Sequence, residues 1–238
     1  MIKAIFFDLD NTLWDHDAAQ ERTIEKVYDY LNELHPITET LYTFAKVYNV
    51  YNEKAWNEYK KGTVTQERLR VHRFIELLNH YNIYNNDLAI KLNDIYISIY
   101  PTWTYLIRGA KELLEELKTK YPLGIITNGV ANTQVIKMEK SGLTGYFKWF
   151  IYSGEVGKAK PQPEIFKFAT KKAHIKEEET LFIGDDFMGD IMGAKALGMK
   201  TIWYNPKGER DEEENKYADY IVLNLKEISN IVKSLETC

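Results

Sequence analysis

The sequence predicts an α/β protein: a doubly wound, Rossmann-like parallel sheet with an α-helical domain inserted after the first strand. Three observations lead to this prediction. The segment Ile2–Phe7 is a short apolar run of strand-forming residues, as in a strand buried on both faces. The stretch from Asp17 to about Tyr100 carries only helical periodicity. From Trp103 onwards strands alternate with helices, which is typical of a parallel sheet covered by helices.

The inserted segment, residues 16–102, is predicted to consist of helices packed on one another. Asp17 can cap the first helix, and Pro36 ends or kinks it. Gly62 and Thr63 interrupt the helical pattern before Thr65 starts it again. Apolar residues recur three or four positions apart, and many are aromatic, which indicates a helix–helix core. The predicted helices cover residues 17–31, 41–59, 65–78 and 87–100. The insert is far longer than an ordinary loop of about 4–6 residues.

Residues 1–15 and 103–238 are predicted to form the sheet domain. Its later strands are Pro122–Thr127, Trp149–Tyr152, Thr180–Ile183, Thr201–Tyr204 and Tyr220–Leu223. Its helices are Ala110–Lys120, Thr133–Ser141, Pro163–Ala173, Asp190–Leu197 and Leu225–Leu235. Gly142 and Gly198 stand where two of these helices should end. The charged run Glu209–Lys216 is predicted to be a solvated loop.

The composition excludes several classes of protein. The 238 residues are 45% hydrophobic and 28% charged, as in a globular protein with a full core. A net charge of −4 gives no reason to expect nucleic acid or an anionic membrane as partner, and no apolar stretch approaches the ~20 residues of a membrane helix. Cys238 is the sole cysteine, which excludes internal disulfides and zinc sites built on several thiolates. The first predicted strand leaves no room for a signal peptide, so we expect a cytoplasmic protein.

Two aspartates, Asp8 and Asp10, directly follow the first strand. Ligands of parallel sheets bind just beyond the carboxyl ends of the strands. Two carboxylates this close repel each other unless a cation or a shared proton offsets the repulsion between their negative charges. The residues alone leave two interpretations open: a divalent metal site with a carboxylate left for chemistry, or an aspartate-rich turn that caps the strand.

Polar residues also follow the later strands. They are Thr127-Asn128-Gly129 after the second strand, Lys158, Lys160 and Pro161 after the third, and Gly184-Asp185-Asp186 with Asp190 after the fourth. One such ending means little, because turns from strand to helix are often polar. Four endings that mix carboxylates, a hydroxyl and an ammonium group indicate a phosphate site.

These residue types suit phosphoryl transfer. Asp8, Asp185 and a backbone carbonyl near Asp10 can offer the hard oxygen ligands that Mg²⁺ prefers, in an octahedron at ~2.0–2.1 Å. The metal would offset the repulsion between Asp8 and a phosphate dianion, so that Asp8 can attack phosphorus and form an aspartyl phosphate. Asp10 can act as general acid toward the leaving oxygen and later as general base toward water. Lys160 and Thr127 would supply charge and hydrogen bonds to the equatorial oxygens.

Together the four motifs resemble those of the haloacid dehalogenase superfamily of phosphotransferases. They are Asp8-Leu9-Asp10-Asn11-Thr12, Thr127-Asn128, Lys160-Pro161, and Gly184-Asp185-Asp186 with Asp190. The helical insert resembles the superfamily's helical cap, so the resemblance spans the whole chain. Further features resemble the branch of nucleoside 5′-monophosphate phosphatases that prefer pyrimidine nucleotides. These features are Gly62-Thr63 with Arg70 and Arg73, Thr127-Asn128-Gly129, and Trp203-Tyr204-Asn205-Pro206.

The resemblance implies a role for each motif residue. It implies that Asp8 is the nucleophile and that Asp10 is the general acid and base. The implied Mg²⁺ ligands are Asp8, the Asp10 carbonyl and Asp185, with Asp190 just outside them. The implied phosphate contacts are Thr127, Asn128 and Lys160. Lys160 is preferred to Lys158 because it directly precedes Pro161. Arg73 in the insert could reach a substrate anion. Asp186 stands where relatives often have serine, and it could touch the metal through water or adjust the local charge.

The resemblance further implies a small phosphorylated metabolite, such as a nucleoside 5′-monophosphate, as substrate of a monomer or homodimer. A phosphosugar phosphatase and a phosphomutase of the same superfamily are alternatives. A dehalogenase is disfavoured, because the second carboxylate and the Mg²⁺ ligands belong to phosphoryl chemistry. A non-catalytic phosphate-binding regulatory module is disfavoured too, because every acidic residue of the motifs is present.

Overall fold

The computed structural model describes residues 1–208 and 217–236. The predicted loop Glu209–Lys216 and Cys238 lie outside the described residues. The chain forms two compact units: a sheet unit made of Met1–Asp15 and Thr104–Cys238, and a helical unit made of His16–Trp103. In the described residues, no helix is long and apolar enough to cross a membrane.

The sheet unit is built on six parallel strands. They are β1 (Ala4–Phe7), β2 (Leu123–Thr127), β3 (Trp149–Tyr152), β4 (Thr180–Gly184), β5 (Lys200–Tyr204) and β6 (Tyr220–Val222). Their order in the sheet is β3-β2-β1-β4-β5-β6, and each neighbouring pair is parallel. Every residue of β1, β2 and β4 is buried, as expected for central strands covered on both faces. All six strands predicted from the sequence are therefore present.

The strand order places the first strand at a crevice. The chain moves outward from β1 to β3 and then crosses back to put β4 on the other side of β1. Loops that leave the carboxyl ends of two such strands diverge, and ligands of open α/β sheets bind in the gap between them. Asp8 directly follows β1 at this point, and Asp185 directly follows β4.

The helical unit, His16–Trp103, follows β1 in the chain and precedes the rest of the sheet unit. Its helices are α1 (His16–Leu34), α2 (Leu41–Lys60), α3 (Gln66–His80) and α4 (Asn86–Ile99). The side chains of Thr40, Thr65 and Asn85 cap α2, α3 and α4 by accepting a hydrogen bond from a backbone N–H of the first turn. Aromatic rings contact one another in its core; for example, the Tyr48 ring centre lies 5.6 Å from that of Phe74.

The remaining helices belong to the sheet unit. They are α5 (Ala110–Leu117), α6 (Ala131–Ser141), α7 (Ser153–Val156), α8 (Pro163–Ala173), α9 (Gly193–Lys195) and α10 (Lys226–Glu236). Pro163 occupies the start of α8. A backbone N–H at this position would have no acceptor within the helix, so proline costs no hydrogen bond there.

The segment after β4 differs from the prediction. The sequence predicts one helix over Asp190–Leu197, but the chain forms a π-helical turn at Phe187–Met192 before the short α9. The Asp186 carbonyl accepts hydrogen bonds from both Asp190 N, at 2.7 Å, and Ile191 N, at 3.4 Å, which widens the turn. Hydrophobic periodicity does not reveal such a turn. π-helical turns are frequent at functional sites, and this one carries Asp190.

Candidate active site

The site is built at the carboxyl edge of the sheet, where backbone hydrogen bonds fix Asp8. The Asp8 N–H donates to the carbonyl oxygen of Ile183 at 2.9 Å, so the ladder between β1 and β4 continues one residue beyond β1. The Asp8 side chain is buried. Its carboxylate is thus held by regular sheet structure, which restricts where it can point.

Lys160 joins two buried carboxylates. Its Nζ atom lies 2.5 Å from Oδ1 of Asp8 and 2.6 Å from Oδ1 of Asp190. Burial raises the pKa of Asp8 to about 7; Lys160 opposes this shift, and the nearby Asp190 and Asp10 add to it. Burial acts to lower the pKa of Lys160, but the two carboxylates outweigh it and the pKa lies above its ordinary value. Lys160 is therefore a firmly protonated cation next to the candidate nucleophile.

Asn128 holds the main chain of Lys160 in place. The Lys160 N–H donates to Oδ1 of Asn128 at 2.7 Å, and Nδ2 of Asn128 donates to the Lys160 carbonyl oxygen at 3.1 Å. The carbonyl oxygen of Asn128 in turn accepts from the Ser153 hydroxyl at 3.0 Å. The loops after β2 and β3 are thereby tied together, and the Asn128 side chain serves Lys160. A direct contact of Asn128 with phosphate stays a prediction.

The π-helical turn presses Asp190 against the end of β4. Its Oδ2 accepts from the Asp186 N–H at 3.2 Å while its Oδ1 accepts from Lys160. A Cβ atom at position 184 would collide with the Asp190 carboxylate, which explains the glycine at the end of β4. The Asp186 carboxylate caps the turn by accepting from the Gly189 N–H at 3.0 Å. Asp186 thus has a structural role that its place in the motif did not suggest.

The residues present fit a divalent cation. One carboxylate oxygen from each of Asp8, Asp185 and Asp190 lies within 4.8 Å of the others. Three carboxylates against the single ammonium group of Lys160 give this cluster a formal charge of −2, which a divalent cation would balance. Burial, and then the charges of Asp8 and Asp190, raise the pKa of Asp185 well above its ordinary value. The donor set is all oxygen, as Mg²⁺ prefers.

Asp185 is positioned by a residue of the turn after β1 and by a residue of β5. The Thr12 hydroxyl donates to Oδ1 of Asp185 at 3.0 Å, and the indole N–H of Trp203 donates to the Asp185 carbonyl oxygen at 2.9 Å. Thr12 follows β1, and Trp203 lies in β5. Thr12 engages one oxygen of Asp185, and Lys160 engages one oxygen of Asp8. Within residues 1–208 and 217–236, the second oxygen of each carboxylate is therefore available for a ligand.

Asp10 is bound through both of its oxygens. Lys137 Nζ lies 2.5 Å from Oδ1, and Nε2 of Gln134 donates to Oδ2 at 2.8 Å. Both donors come from α6. The Asp10 carboxylate thus lies outside the acidic cluster of Asp8, Asp185 and Asp190. Its carbonyl as a metal ligand remains a prediction.

Thr127 is arranged to donate a hydrogen bond. Its hydroxyl oxygen accepts from Nε2 of Gln134 at 2.7 Å and from the Gly129 N–H at 3.0 Å. A hydroxyl has one donor hydrogen and two acceptor lone pairs, so the hydrogen is left for a substrate oxygen. Gly129 is needed here because a Cβ atom would collide with the side chain of Gln134.

Arg73 lies in the core of the helical unit, with 5% of its surface exposed. Its Nη1 donates to Oδ1 of Asn52 at 2.8 Å, and its guanidinium carbon lies 4.3 Å from the Tyr96 ring centre. Among the residues that the structure describes, no carboxylate pairs with it. Its role as a substrate contact stays a prediction.

The structure therefore brings Asp8, Asp185, Asp190 and Lys160 together, while Lys158 is exposed. Sequence reasoning missed Gln134, Lys137 and Ser153. It included Thr12 in the first motif but gave it no role. Gln134 and Lys137 carry no spacing that marks them, because a polar side chain on a helix is ordinarily solvent-exposed.

Comparison with known proteins agrees with this geometry. A family model for haloacid dehalogenase-like hydrolases matches residues 2–198. Pyrimidine 5′-nucleotidase YjjG of Escherichia coli is 30% identical over 96% of both chains. Glyceraldehyde 3-phosphate phosphatase of Pyrococcus furiosus is 32% identical over 98% of this chain and 93% of the relative.

A solved structure is similar over nearly its whole length. The crystal structure of the HAD-hydrolase YfnB from Bacillus subtilis, bound to magnesium, has a TM-score of 0.86 at 27% identity. The match covers 98% of this chain and 99% of that one. Because the family model matches residues 2–198, the chain belongs to the haloacid dehalogenase-like hydrolase family, and the site geometry agrees with this.

Proposed function

We propose that this protein is a Mg²⁺-dependent phosphomonoester hydrolase that works through an aspartyl phosphate on Asp8. The observation that carries the proposal is the Asp8–Lys160–Asp190 arrangement with Asp185 beside it. A carboxylate nucleophile, a fixed cation and oxygen ligands for a metal are what phosphoryl transfer requires. Two relatives named as phosphate ester hydrolases and a magnesium-bound structural neighbour support it.

The first half-reaction forms the aspartyl phosphate. An oxygen of Asp8 bonds to phosphorus while the bond between phosphorus and the leaving oxygen breaks. The electron pair of that bond stays on the leaving oxygen, which takes a proton from Asp10. Lys160 and the hydroxyl of Thr127 donate hydrogen bonds to the non-bridging oxygens as charge builds up on them.

The second half-reaction releases phosphate. A water oxygen bonds to phosphorus and gives a proton to Asp10, which now acts as base. The bond between phosphorus and Asp8 breaks, and its electron pair returns to the Asp8 carboxylate. A magnesium ion held by Asp8 and Asp185 would supply the charge that lets an anionic substrate approach an anionic nucleophile.

For the substrate we propose a small phosphorylated metabolite, with a nucleoside 5′-monophosphate as first candidate. The support is the similarity to a pyrimidine 5′-nucleotidase together with the Thr127-Asn128-Gly129 motif. Arg73 is proposed as a contact for the part of the substrate beyond the phosphate, because no described carboxylate balances its buried charge. The similarity to a glyceraldehyde 3-phosphate phosphatase favours a phosphosugar as second candidate.

A screen of phosphate release tests the proposal. The panel contains nucleoside 5′-monophosphates, triose and hexose phosphates, and 4-nitrophenyl phosphate, each with Mg²⁺ and with a chelator. We expect hydrolysis that the chelator abolishes and that Asp8→Asn eliminates. The matched control is Asp94→Asn, because Asp94 is an exposed aspartate on α4.

Assays of other products and of binding distinguish the alternatives. Interconversion of sugar phosphate isomers without phosphate release would indicate a mutase, and halide release from a 2-haloacid would indicate a dehalogenase. Tight phosphate binding without turnover of any ester would indicate a regulatory module. Full activity of Asp8→Asn would rule out the proposed mechanism.

A further inference from the structure

Helix α6 buries two long polar side chains, Gln134 and Lys137, beside Met138, while two of its apolar residues are exposed. Gln134 and Lys137 are 0% and 2% exposed, whereas Val135 and Ile136 are 39% and 36% exposed. A helix on a hydrophobic core ordinarily shows the opposite pattern. Burying an ammonium group is unfavourable unless it is paired, so packing alone does not explain this orientation.

Both inward side chains bind the same carboxylate. Lys137 Nζ contacts Oδ1 of Asp10 at 2.5 Å, and Gln134 Nε2 contacts Oδ2 at 2.8 Å. A single donor would leave the carboxyl group free to turn about its last side-chain bond. A separate donor on each oxygen fixes the plane of the carboxylate as well as its position.

The two donors are themselves held in place. Lys137 Nζ lies 4.2 Å from the ring centre of Trp14, which is fully buried. Gln134 Nε2 also donates to Thr127, and its side chain lies directly against Gly129. Side chains that are locked by their neighbours can place a reacting group accurately.

We propose that Gln134 and Lys137 are positioning residues that hold the Asp10 carboxyl group in the orientation required for both of its proton transfers. The inference rests on the proposed function. In the first step Asp10 gives its proton to the leaving oxygen, which keeps the electron pair of the broken bond to phosphorus. In the second step Asp10 takes a proton from the attacking water, while the bond between Asp8 and phosphorus breaks and its electron pair returns to Asp8.

Pre-steady-state kinetics with 4-nitrophenyl phosphate separates the two transfers. Nitrophenolate leaves as a stable anion and needs little help from an acid, whereas hydrolysis of the aspartyl phosphate needs Asp10 as base. In Lys137→Met we expect a burst of nitrophenolate with nearly unchanged rate, followed by a steady-state rate lowered about 10²-fold. Lys137→Arg should recover part of the steady-state rate, because it keeps a cation near Asp10.

Lys140→Met is the matched control, since Lys140 is exposed on the same helix. Thermal unfolding is measured for each variant. Two results for Lys137→Met would contradict the inference. In the first, its burst rate and steady-state rate both match those of Lys140→Met. In the second, both rates fall by the same factor. If Lys137→Met does not fold, Gln134→Met carries the same test, because it removes the other donor to Asp10.

The control reactions separate this inference from the function on which it rests. A wild-type protein that hydrolyses no phosphomonoester, or an Asp8→Asn variant with full activity, would overturn the proposed function and this inference with it. An active wild type in which Lys137→Met behaves like Lys140→Met would overturn the positioning role alone.

Discussion

The Nζ atom of Lys160 lies 2.5 Å from Oδ1 of Asp8, although 152 positions separate the two residues in the chain. The contact joins the end of β1 to the loop that follows β3. It places the Lys160 ammonium group against the carboxylate that we propose as the nucleophile. Because Lys160 also contacts Asp190, its charge is shared between a candidate nucleophile and a residue of the π-helical turn.

Lys160→Met should therefore reduce both activity and stability. Turnover is expected to fall by about 10²-fold or more, because the cation beside the reacting phosphate is lost. The free energy of unfolding should fall by about 3–5 kcal/mol, because two buried carboxylates lose their partner. Steady-state kinetics and thermal unfolding measure the two effects, with Lys158→Met as the exposed control. Wild-type turnover in Lys160→Met would argue against the assigned role.

The carboxylate cluster predicts that stabilisation by magnesium depends on pH. Burial raises the pKa of Asp8 from 3.8 to about 7 and raises those of Asp185 and Asp190 as well. Between pH 3.8 and about pH 7 the folded protein therefore binds more protons than the unfolded chain. Without metal, the free energy of unfolding thus falls as the pH rises through this range. Magnesium binds the ionised carboxylates, so it should raise the melting temperature more at about pH 8 than at about pH 5. Equal gains in thermal melts at the two pH values would contradict the prediction.

Asn128→Ala should impair the reaction without direct loss of a charged group. It removes both hydrogen bonds that the Asn128 side chain makes with the Lys160 main chain. Leaving such groups unpaired destabilises by about 1–3 kcal/mol, and the displaced ammonium group should lower turnover by roughly 10-fold. Turnover and thermal unfolding are compared with Asn132→Ala, an exposed change on α6. Unchanged turnover would show that Lys160 needs no such support.

Arg73→Met distinguishes a substrate contact from a purely structural arginine. If Arg73 binds the part of the substrate beyond the phosphate, KM for a nucleoside monophosphate should rise about 10-fold, since a hydrogen bond to a charged group contributes about 1.5–3 kcal/mol. KM for 4-nitrophenyl phosphate should then stay nearly constant. Arg68→Met, an exposed change on α3, is the control. Equal changes in both KM values would assign Arg73 to the core of the helical unit alone.

Much of the fold follows from patterns that the sequence displays. The central strands are apolar along their whole length because helices cover both faces, and the aromatic residues of the insert recur at helical spacing because they form its core. The polar endings of β1 and β4 indicated where Asp8 and Asp185 would meet, because parallel strands share a carboxyl edge.

Other parts of the site depend on tertiary contacts that no local pattern displays. The π-helical turn arises from an Asp186 carbonyl shared by two N–H groups. The inward orientation of Lys137 reverses the hydrophobic periodicity of its helix, so the periodicity misleads there. The role of Asn128 became visible only once the loops after β2 and β3 were adjacent, because its partner is a main-chain segment far along the chain.

The distance along the chain between Asp8 and Asp190 also bears on how the protein is made. Asp8 is translated before the helical unit, whereas Lys160, Asp185 and Asp190 are translated only after the last residue of that unit, Trp103. Domains generally fold as units during synthesis, so the helical unit is able to fold while β1 still lacks β4. The cluster of Asp8, Asp185 and Asp190 therefore cannot assemble until Asp190 has been translated, and under the proposed mechanism a fragment that ends before Asp190 is expected to be inactive.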